Sequence, residues 1–170
     1  MKKVYVVGNR ASKSLSPTIF NYWFKKYNIK ASYGYLELTE KNFHNKIKDV
    51  LEKKDTLGLN VTIPFKNKII KHLGKIDAHA KKIGAVNCVT NKKTINGTNT
   101  DWTGYYKTLP NIKKTKDKKV IILGYGGASH AIHYVLKKRG FKDILIFNRS
   151  KKKIKYSKKT EYTKKYSDLE

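Results

Sequence analysis

Short runs of β-branched and aromatic residues alternate with segments of helical periodicity along most of this chain. The runs predict strands at residues 3–8, 33–38, 57–62, 85–90, 94–98, 120–123 and 144–147. Helices are predicted from Pro17 to about residue 28, after Thr39, from Pro64 onward, and at residues 77–83, 101–109 and 129–138. Strands that alternate with helices in this way predict an α/β fold built on parallel sheets.

A polar, lysine-rich segment at residues 110–119 interrupts this alternation and is the predicted domain boundary. Residues 1–109 would form the first domain and its connecting helix, and residues 110–170 a second domain in which the pattern restarts. The tail from residue 150 is rich in lysine and has little apolar periodicity, so it predicts either the start of a helix or a disordered segment.

The composition excludes several classes of protein. Cys88 is the single cysteine, so no intrachain disulfide can form and a cytoplasmic location is expected. No apolar run is long enough to span a bilayer. The opening residues Met1-Lys2-Lys3 precede an apolar run that is too short for a signal peptide.

The net charge of +27 raises the alternative of a nucleic-acid-binding protein. Only three of the 39 basic residues are arginines, and the lysines are spread along the chain instead of forming one patch. Phosphate and base readers favour the bidentate fork of arginine. A solvated lysine surface is therefore the favoured interpretation, and it would also attract anionic ligands.

A lysine stands just beyond a buried strand in Asn60-Val61-Thr62-Ile63-Pro64-Phe65-Lys66-Asn67. Lys66 can donate or accept a proton if a carboxylate steadies its charge, and Asp101 is the candidate. Asn60 and Thr62 alternate on the strand and would face the same side, where they either contact ligand hydroxyls or cap the strand end. The alternative for Asp101 is an N-cap of the following helix.

Two other polar positions have a structural and a functional interpretation. Ser14 and Ser16 lie beside a helix N-terminus, where hydroxyls can bind a carboxylate or simply cap the helix before Pro17. Asn87 lies within an apolar strand, and a buried amide needs a partner in the backbone or in a ligand.

A glycine-rich loop follows the strand at residues 120–123 and opens a helix. Gly124, Gly126 and Ser129 fit the dinucleotide fingerprint, with a small residue in place of the third glycine. The next strand ends in Asn148-Arg149-Ser150, where an enzyme specific for NAD would place an acidic residue. A cation and a hydroxyl suit the additional phosphate of NADP, whereas the neighbouring lysines could simply be solvated.

The order and spacing of these segments resemble the shikimate dehydrogenase family along nearly the whole chain. The resemblance implies that Ser14 and Ser16 bind the substrate carboxylate and that Lys66 and Asp101 form the catalytic acid–base pair. It implies that Asn60, Thr62, Asn87 and Asp101 contact the substrate hydroxyls, and that the cofactor is NADP. The implied cofactor-binding residues are Gly124, Gly126, Gly127, Ala128, Ser129, Asn148, Arg149, Ser150 and Lys153.

The chain departs from the family pattern at three positions, where Arg10, Ser12 and Trp102 replace the proline, histidine and glycine that are usual there. Relatives continue for roughly another hundred residues, about the size of a small domain. The expectation is therefore a fragment, a truncated reading frame or one piece of a split protein, with a half-built cofactor domain.

Three alternatives to a shikimate dehydrogenase stay open at this stage. They are a shikimate-binding module without turnover, a dehydrogenase that prefers quinate, and the nucleic-acid-associated protein. The expected partner is shikimate or 3-dehydroshikimate, with neither membrane nor nucleic acid. A homodimer is compatible with these motifs.

Overall fold

The structure, a computed structural model, describes residues 1–154 and 163–168. The chain divides into two compact units. The first contains Met1–Ala80 and Val86–Thr98, and the second contains Lys81–Ala85 and Asn99–Glu170. Strands and helices occur in both units, which confirms the α/β class predicted from the sequence.

A six-stranded sheet forms the first unit, in the order β2-β1-β3-β5-β6-β4. Its strands are β1 (Lys2–Gly8), β2 (Ala31–Glu37), β3 (Thr56–Val61), β4 (Lys75–Ile76), β5 (Cys88–Asn91) and β6 (Ile95–Thr98). Strand β1 runs parallel to β2 and to β3, as predicted. Strand β5 is antiparallel to both β3 and β6, so the sheet is mixed. The prediction of parallel pairing is confirmed for β1 with β2 and β3 and for β4 with β6, and it was wrong for β5, which a short turn joins to β6 as a hairpin.

Three helices accompany this part of the chain: α1 (Ser16–Lys26), α2 (Phe43–Leu51) and α3 (Ala78–Ile83). Helix α2 is preceded by a reciprocal cap, in which the Thr39 hydroxyl accepts the Asn42 N–H and the Asn42 side chain accepts the Thr39 N–H. The helix predicted from Pro64 is instead a turn followed by a 3₁₀ segment at Lys68–His72. The Ile63–Pro64 peptide is cis.

The core of the first unit lies between the sheet and the segments around α2. Phe43 and Phe65 are completely buried, and their rings stack with centroids 4.2 Å apart. Ile47, Leu59 and Ile69 are buried in the same cluster. Because Phe65 is the residue before Lys66, this packing fixes the backbone from which the Lys66 side chain leaves.

The second unit contains a strand–loop–helix–strand motif and the helix that precedes it. The elements are α4 (Asp101–Thr108), β7 (Lys119–Leu123), α5 (Gly127–Lys138) and β8 (Asp143–Phe147), with β7 and β8 parallel. Ile122, Leu136 and Ile146 are buried between the two strands and α5. Helix α4 packs on α5, with the Trp102 and Tyr134 rings 5.9 Å apart.

The described end of the chain adds a short contact to β8. Lys164 forms an isolated parallel bridge with Phe147, and its carbonyl accepts the Asn148 N–H at 2.8 Å. The expectation for the tail falls largely on residues 155–162, which lie outside the described residues. Within the described ranges, no helix combines the length and the apolar character that a membrane span requires.

Candidate functional site

A cleft of about 710 Å³ lies at the carboxyl ends of β1 and β3 in the first unit. The two strands end side by side, because the Thr62 N–H donates to Val7 and the Asn9 N–H donates to Ile63. The loops that follow these strands supply the walls of the cleft. The lining residues are Val6, Asn9, Arg10, Lys13, Ser14, Ser16, Phe20, Asn60, Val61, Thr62, Ile63, Lys66 and Asn87.

Ser14 and Ser16 stand together at the start of α1. The Ser14 hydroxyl donates to the Ser16 hydroxyl at 3.1 Å and accepts the Ser16 N–H at 3.2 Å. Leu15 occupies the N-cap position, so Ser16 begins the helix instead of capping it. Both hydroxyls line the cleft at a helix N-terminus, where the local field favours an anion.

Asn60 belongs to β3, and Thr62 follows it two residues later; both line the cleft. The buried Tyr33 on β2 donates its hydroxyl proton to Asn60 Oδ1 at 2.7 Å. The sequence did not single out Tyr33, because its strand register places it in the core and its partner is 27 residues away.

Lys66 and Asn87 complete the polar part of the cleft. The Lys66 carbonyl accepts the Val86 N–H at 2.8 Å, which ties the turn after β3 to the segment before β5. The Asn87 backbone bonds to Val61 and to Thr98, so its backbone polar groups are satisfied within the sheet. The side chains of both residues line the cleft and are half-buried.

The electrostatic character of the cleft is cationic. Within the described residues its lining contains Arg10, Lys13 and Lys66 and no carboxylate. No role for Arg10 could be predicted from its position, and nothing in the local pattern distinguishes Lys13 from the other lysines. A cationic lining beside a helix N-terminus favours a ligand that carries a carboxylate.

Asp101 lies in the second unit, as the first residue of α4. Asn99 precedes it, is buried, and accepts the N–H groups of Asp101 at 3.0 Å and Trp102 at 3.3 Å. The Asn99 amide also donates to the Ala85 carbonyl at 2.9 Å. Asn99 therefore performs the capping function that was the structural alternative for Asp101.

The glycine-rich loop of the second unit joins β7 to α5. Gly124 has a φ of 92°, a conformation that glycine adopts without strain. The Gly126 N–H donates to the Ser129 hydroxyl at 2.6 Å. The α5 helix begins at Gly127, two residues earlier than predicted, and Ala128 is exposed beside it.

Asn148 supports this loop from the end of β8. Its side-chain oxygen accepts the Tyr125 N–H at 3.1 Å, and its amide donates to the Ser150 carbonyl at 2.7 Å. Lys152, which the sequence did not single out, donates to the Tyr125 carbonyl at 3.2 Å. Arg149, Ser150 and Lys153 are exposed just beyond the strand.

The residues present fit a dinucleotide phosphate. A Cβ at Gly126 would meet no heavy atom within 4 Å, so the backbone of the loop has open space before it. The α5 N-terminus offers N–H groups there, and the exposed Arg149 offers a cation for a further phosphate. In the described ranges no group of three or more His, Cys, Asp or Glu side chains could hold a metal ion.

These features define a class of α/β proteins that combine a polar cleft for a small ligand with a dinucleotide-type strand–loop–helix unit. Residues 6–89 match the family model of the shikimate dehydrogenase substrate binding domain. Over most of its length the chain is similar to shikimate dehydrogenases.

Individual relatives show this similarity. The chain is 36% identical over 148 residues to shikimate dehydrogenase of Thermotoga petrophila, covering 87% of this chain and 55% of that protein. It is 38% identical over 161 residues to shikimate dehydrogenase (NADP(+)) of Pelagibacter ubique, covering 90% and 58%. The chain thus spans little more than half the length of these curated relatives.

Solved structures give the same result. Shikimate dehydrogenase from Aquifex aeolicus superposes with a TM-score of 0.78 at 35% identity, covering 88% of this chain and 56% of that one. Shikimate dehydrogenase 1 from Peptoclostridium difficile superposes with a TM-score of 0.84 at 29% identity, covering 99% and 63%. A further match, at 26% identity with a TM-score of 0.74, covers 88% of this chain and 57% of the enzyme from Thermus thermophilus, solved with NADP(H) and shikimate.

Proposed function

We propose that this protein acts as an NADP-dependent shikimate dehydrogenase, which interconverts shikimate and 3-dehydroshikimate on the route to chorismate and the aromatic amino acids. One observation carries the proposal: a single cleft in the first unit gathers six of the seven side chains expected to contact the substrate. They are Ser14, Ser16, Asn60, Thr62, Lys66 and Asn87.

Ser14 and Ser16 would bind the carboxylate of the ring acid at the N-terminus of α1. Their hydroxyls can turn toward an anion, and the helix N-terminus adds a favourable field. Arg10 and Lys13, which line the same cleft, would contribute further attraction. Asn60, Thr62 and Asn87 would then contact the ring hydroxyls through their side-chain amide and hydroxyl groups.

Oxidation of the ring alcohol removes a proton from the hydroxyl oxygen and a hydride from its carbon. Lys66 as the neutral amine would accept the proton, and as the ammonium it would return the proton to the ketone oxygen in the reverse direction. Asp101 is proposed as the carboxylate that orients Lys66 and favours its charged form. NADP⁺, when bound, supplies the hydride acceptor.

The second unit would hold the cofactor phosphates. Gly124, Gly126, Gly127, Ala128 and Ser129 would surround the pyrophosphate at the N-terminus of α5. Arg149, with Ser150 and Lys153, would bind the additional phosphate that distinguishes NADP from NAD. Asn148 would act indirectly, by holding the loop in place, because both ends of its side-chain amide are already hydrogen-bonded within the loop.

The division into a substrate domain at residues 1–109 and a cofactor domain at residues 110–170 stays part of this proposal. The compact units differ in two respects: Lys81–Ala85 groups with the second unit, and so does α4, which packs on α5. A cytoplasmic location and a homodimer also remain proposals.

The test is shikimate-dependent NADPH formation by the purified chain, measured beside Lys66→Ala and Lys71→Ala. Lys71 is an exposed lysine in the 3₁₀ segment that follows Lys66, and it does not line the cleft, so its variant is the matched control. Turnover that is lost in Lys66→Ala and kept in Lys71→Ala supports the proposal. Shikimate binding without turnover would instead identify a binding module, and preferential turnover of quinate would identify the close enzymatic variant.

A further inference from the structure

Tyr33 lies behind the cleft and is hydrogen-bonded to one predicted ligand contact, Asn60. Its hydroxyl donates to Asn60 Oδ1 at 2.7 Å. The phenol therefore lies behind the part of the cleft that is proposed to contact the ring hydroxyls.

The ring of Tyr33 is rigidly placed. It is 3% exposed and stacks on Phe20 with centroids 4.7 Å apart and an angle of 14° between the planes. Its backbone is held at both polar groups by Asn21, which donates to the Tyr33 carbonyl and accepts the Tyr33 N–H, each at 2.8 Å. A side chain fixed in this way can impose an orientation on its partner.

The protonation state of Tyr33 makes it a donor. Burial raises the pKa of Tyr33 to about 12, and the hydrogen bond from Ser16 opposes part of that shift. At neutral pH the phenol therefore keeps its proton. Because Asn60 Oδ1 accepts this proton, the Nδ2 group of Asn60 is the end of the amide that remains for a ligand in the cleft.

We infer that Tyr33 is a positioning residue that fixes the Asn60 amide as a hydrogen-bond donor toward a ring hydroxyl of the substrate. The inference rests on the proposed function for the identity of that substrate. An asparagine without this partner could present either its oxygen or its nitrogen to the ligand. Tyr33 itself does not line the cleft and would act only through Asn60.

The test compares Tyr33→Phe with Tyr35→Phe. The first removes only the hydroxyl and keeps the ring that stacks on Phe20, and the second makes the same change at an exposed tyrosine of β2 outside the cleft lining. Calorimetric titration with shikimate should show roughly tenfold weaker binding for Tyr33→Phe and an unchanged affinity for Tyr35→Phe. The melting temperature of both variants is measured alongside.

Ligand analogues separate positioning from a general loss of structure. With one of the monodeoxy analogues of shikimate, the difference between wild type and Tyr33→Phe should disappear, because the group that Asn60 contacts is missing. A merely structural effect would weaken the binding of shikimate and every analogue alike. Equal affinity of wild type and Tyr33→Phe for shikimate overturns the inference.

A second readout needs no ligand. The side-chain amide of Asn60, assigned by its absence in Asn60→Ala, should give two sharp ¹⁵N–¹H signals in wild type and in Tyr35→Phe. In Tyr33→Phe the amide loses its fixed partner, so these signals should broaden. If wild type binds no shikimate, the proposed function fails, and the Asn60 signals alone decide the inference: unaltered line widths in Tyr33→Phe contradict it.

Discussion

Glu37, the last residue of β2, accepts two hydrogen bonds from Ser12 in the loop that carries the cleft serines. One comes from the Ser12 N–H at 3.0 Å and the other from its hydroxyl. The two hydrogen bonds hold the pKa of Glu37 below its ordinary value, and Lys13 and Arg10 lower it further. The carboxylate thus ties the loop that contains Ser14 to the edge of the sheet.

Glu37→Gln should weaken shikimate binding about two- to fivefold, because a neutral amide makes weaker hydrogen bonds to Ser12 than a carboxylate does. Calorimetric titration checks this, with hydrogen exchange at the Ser12 amide as the local readout. Glu52→Gln is the control, since Glu52 is an exposed glutamate that forms a weak ion pair with Lys48 at 4.0 Å. If the Ser12 amide exchanges as slowly in Glu37→Gln as in wild type, the role assigned to Glu37 is contradicted.

The same contact has a defined pH dependence. Folding lowers the pKa of Glu37, so the stability that the contact contributes is complete above the ordinary glutamate pKa. It is lost as the pH falls through the lowered pKa of the folded state. Melting temperatures measured across the acid range should show a smaller decrease for Glu37→Gln than for wild type over that window.

Arg10 should strengthen binding through its charge. Arg10→Ala should weaken shikimate binding roughly three- to tenfold, and the loss should shrink at high salt, because Arg10 is exposed at the cleft. Arg10→Lys, which keeps the positive charge, should weaken shikimate binding less than Arg10→Ala does. The exposed Lys30, outside the cleft, supplies the control variant Lys30→Ala; an equal loss there would mean that net charge alone accounts for the effect.

Gly58 is required by the close approach of β3 to β5. A Cβ at this position would collide with the Val89 carbonyl oxygen, so Gly58→Ala should destabilise the chain by about 1–3 kcal/mol. Gly104 in α4 has nothing within 4 Å of a Cβ, and Gly104→Ala should stabilise the helix by ~0.5–1 kcal/mol. Urea unfolding of the two variants should move in opposite directions, and a shift of the same sign would contradict this packing.

In the proposed cofactor loop, Arg149 and Lys152 should have different effects on nucleotide binding. Arg149→Ala should weaken binding of 2′,5′-ADP roughly tenfold and leave 5′-ADP unchanged, because only the first carries the additional phosphate. Lys152→Met should weaken both equally, since Lys152 donates to the Tyr125 carbonyl of the loop. Titration with the two nucleotides checks this, and equal losses in Arg149→Ala would contradict its assignment.

Much of the fold followed from local pattern. The strands β1 and β3, the helix α1 and the strand–glycine loop–helix segment all have periodicity or turn residues that predict them. Strand β4 was missed, because Lys75–Ile76 is two residues long and carries no alternation. The antiparallel pairing of β5 was also missed, since strand direction depends on how the connecting segments turn.

Some residues of the candidate site could be predicted from the sequence and others could not. Ser14, Asn60 and Lys66 were identified by motif and meet in the cleft. Tyr33 and Lys152 were not, because each acts through a tertiary hydrogen bond to a residue 27 positions away. No local pattern records such a contact, and in a lysine-rich chain one lysine resembles another.

The most direct measurement is an NMR titration of the ¹⁵N-labelled chain with shikimate. The backbone amides that shift should be concentrated in residues 9–16, in residues 60–66 and at Asn87, around the cleft of the first unit. Lys66→Ala should retain part of this pattern while losing turnover. Shifts that avoid these segments, or no shifts from a folded chain, would contradict the assignment of the cleft as the shikimate site.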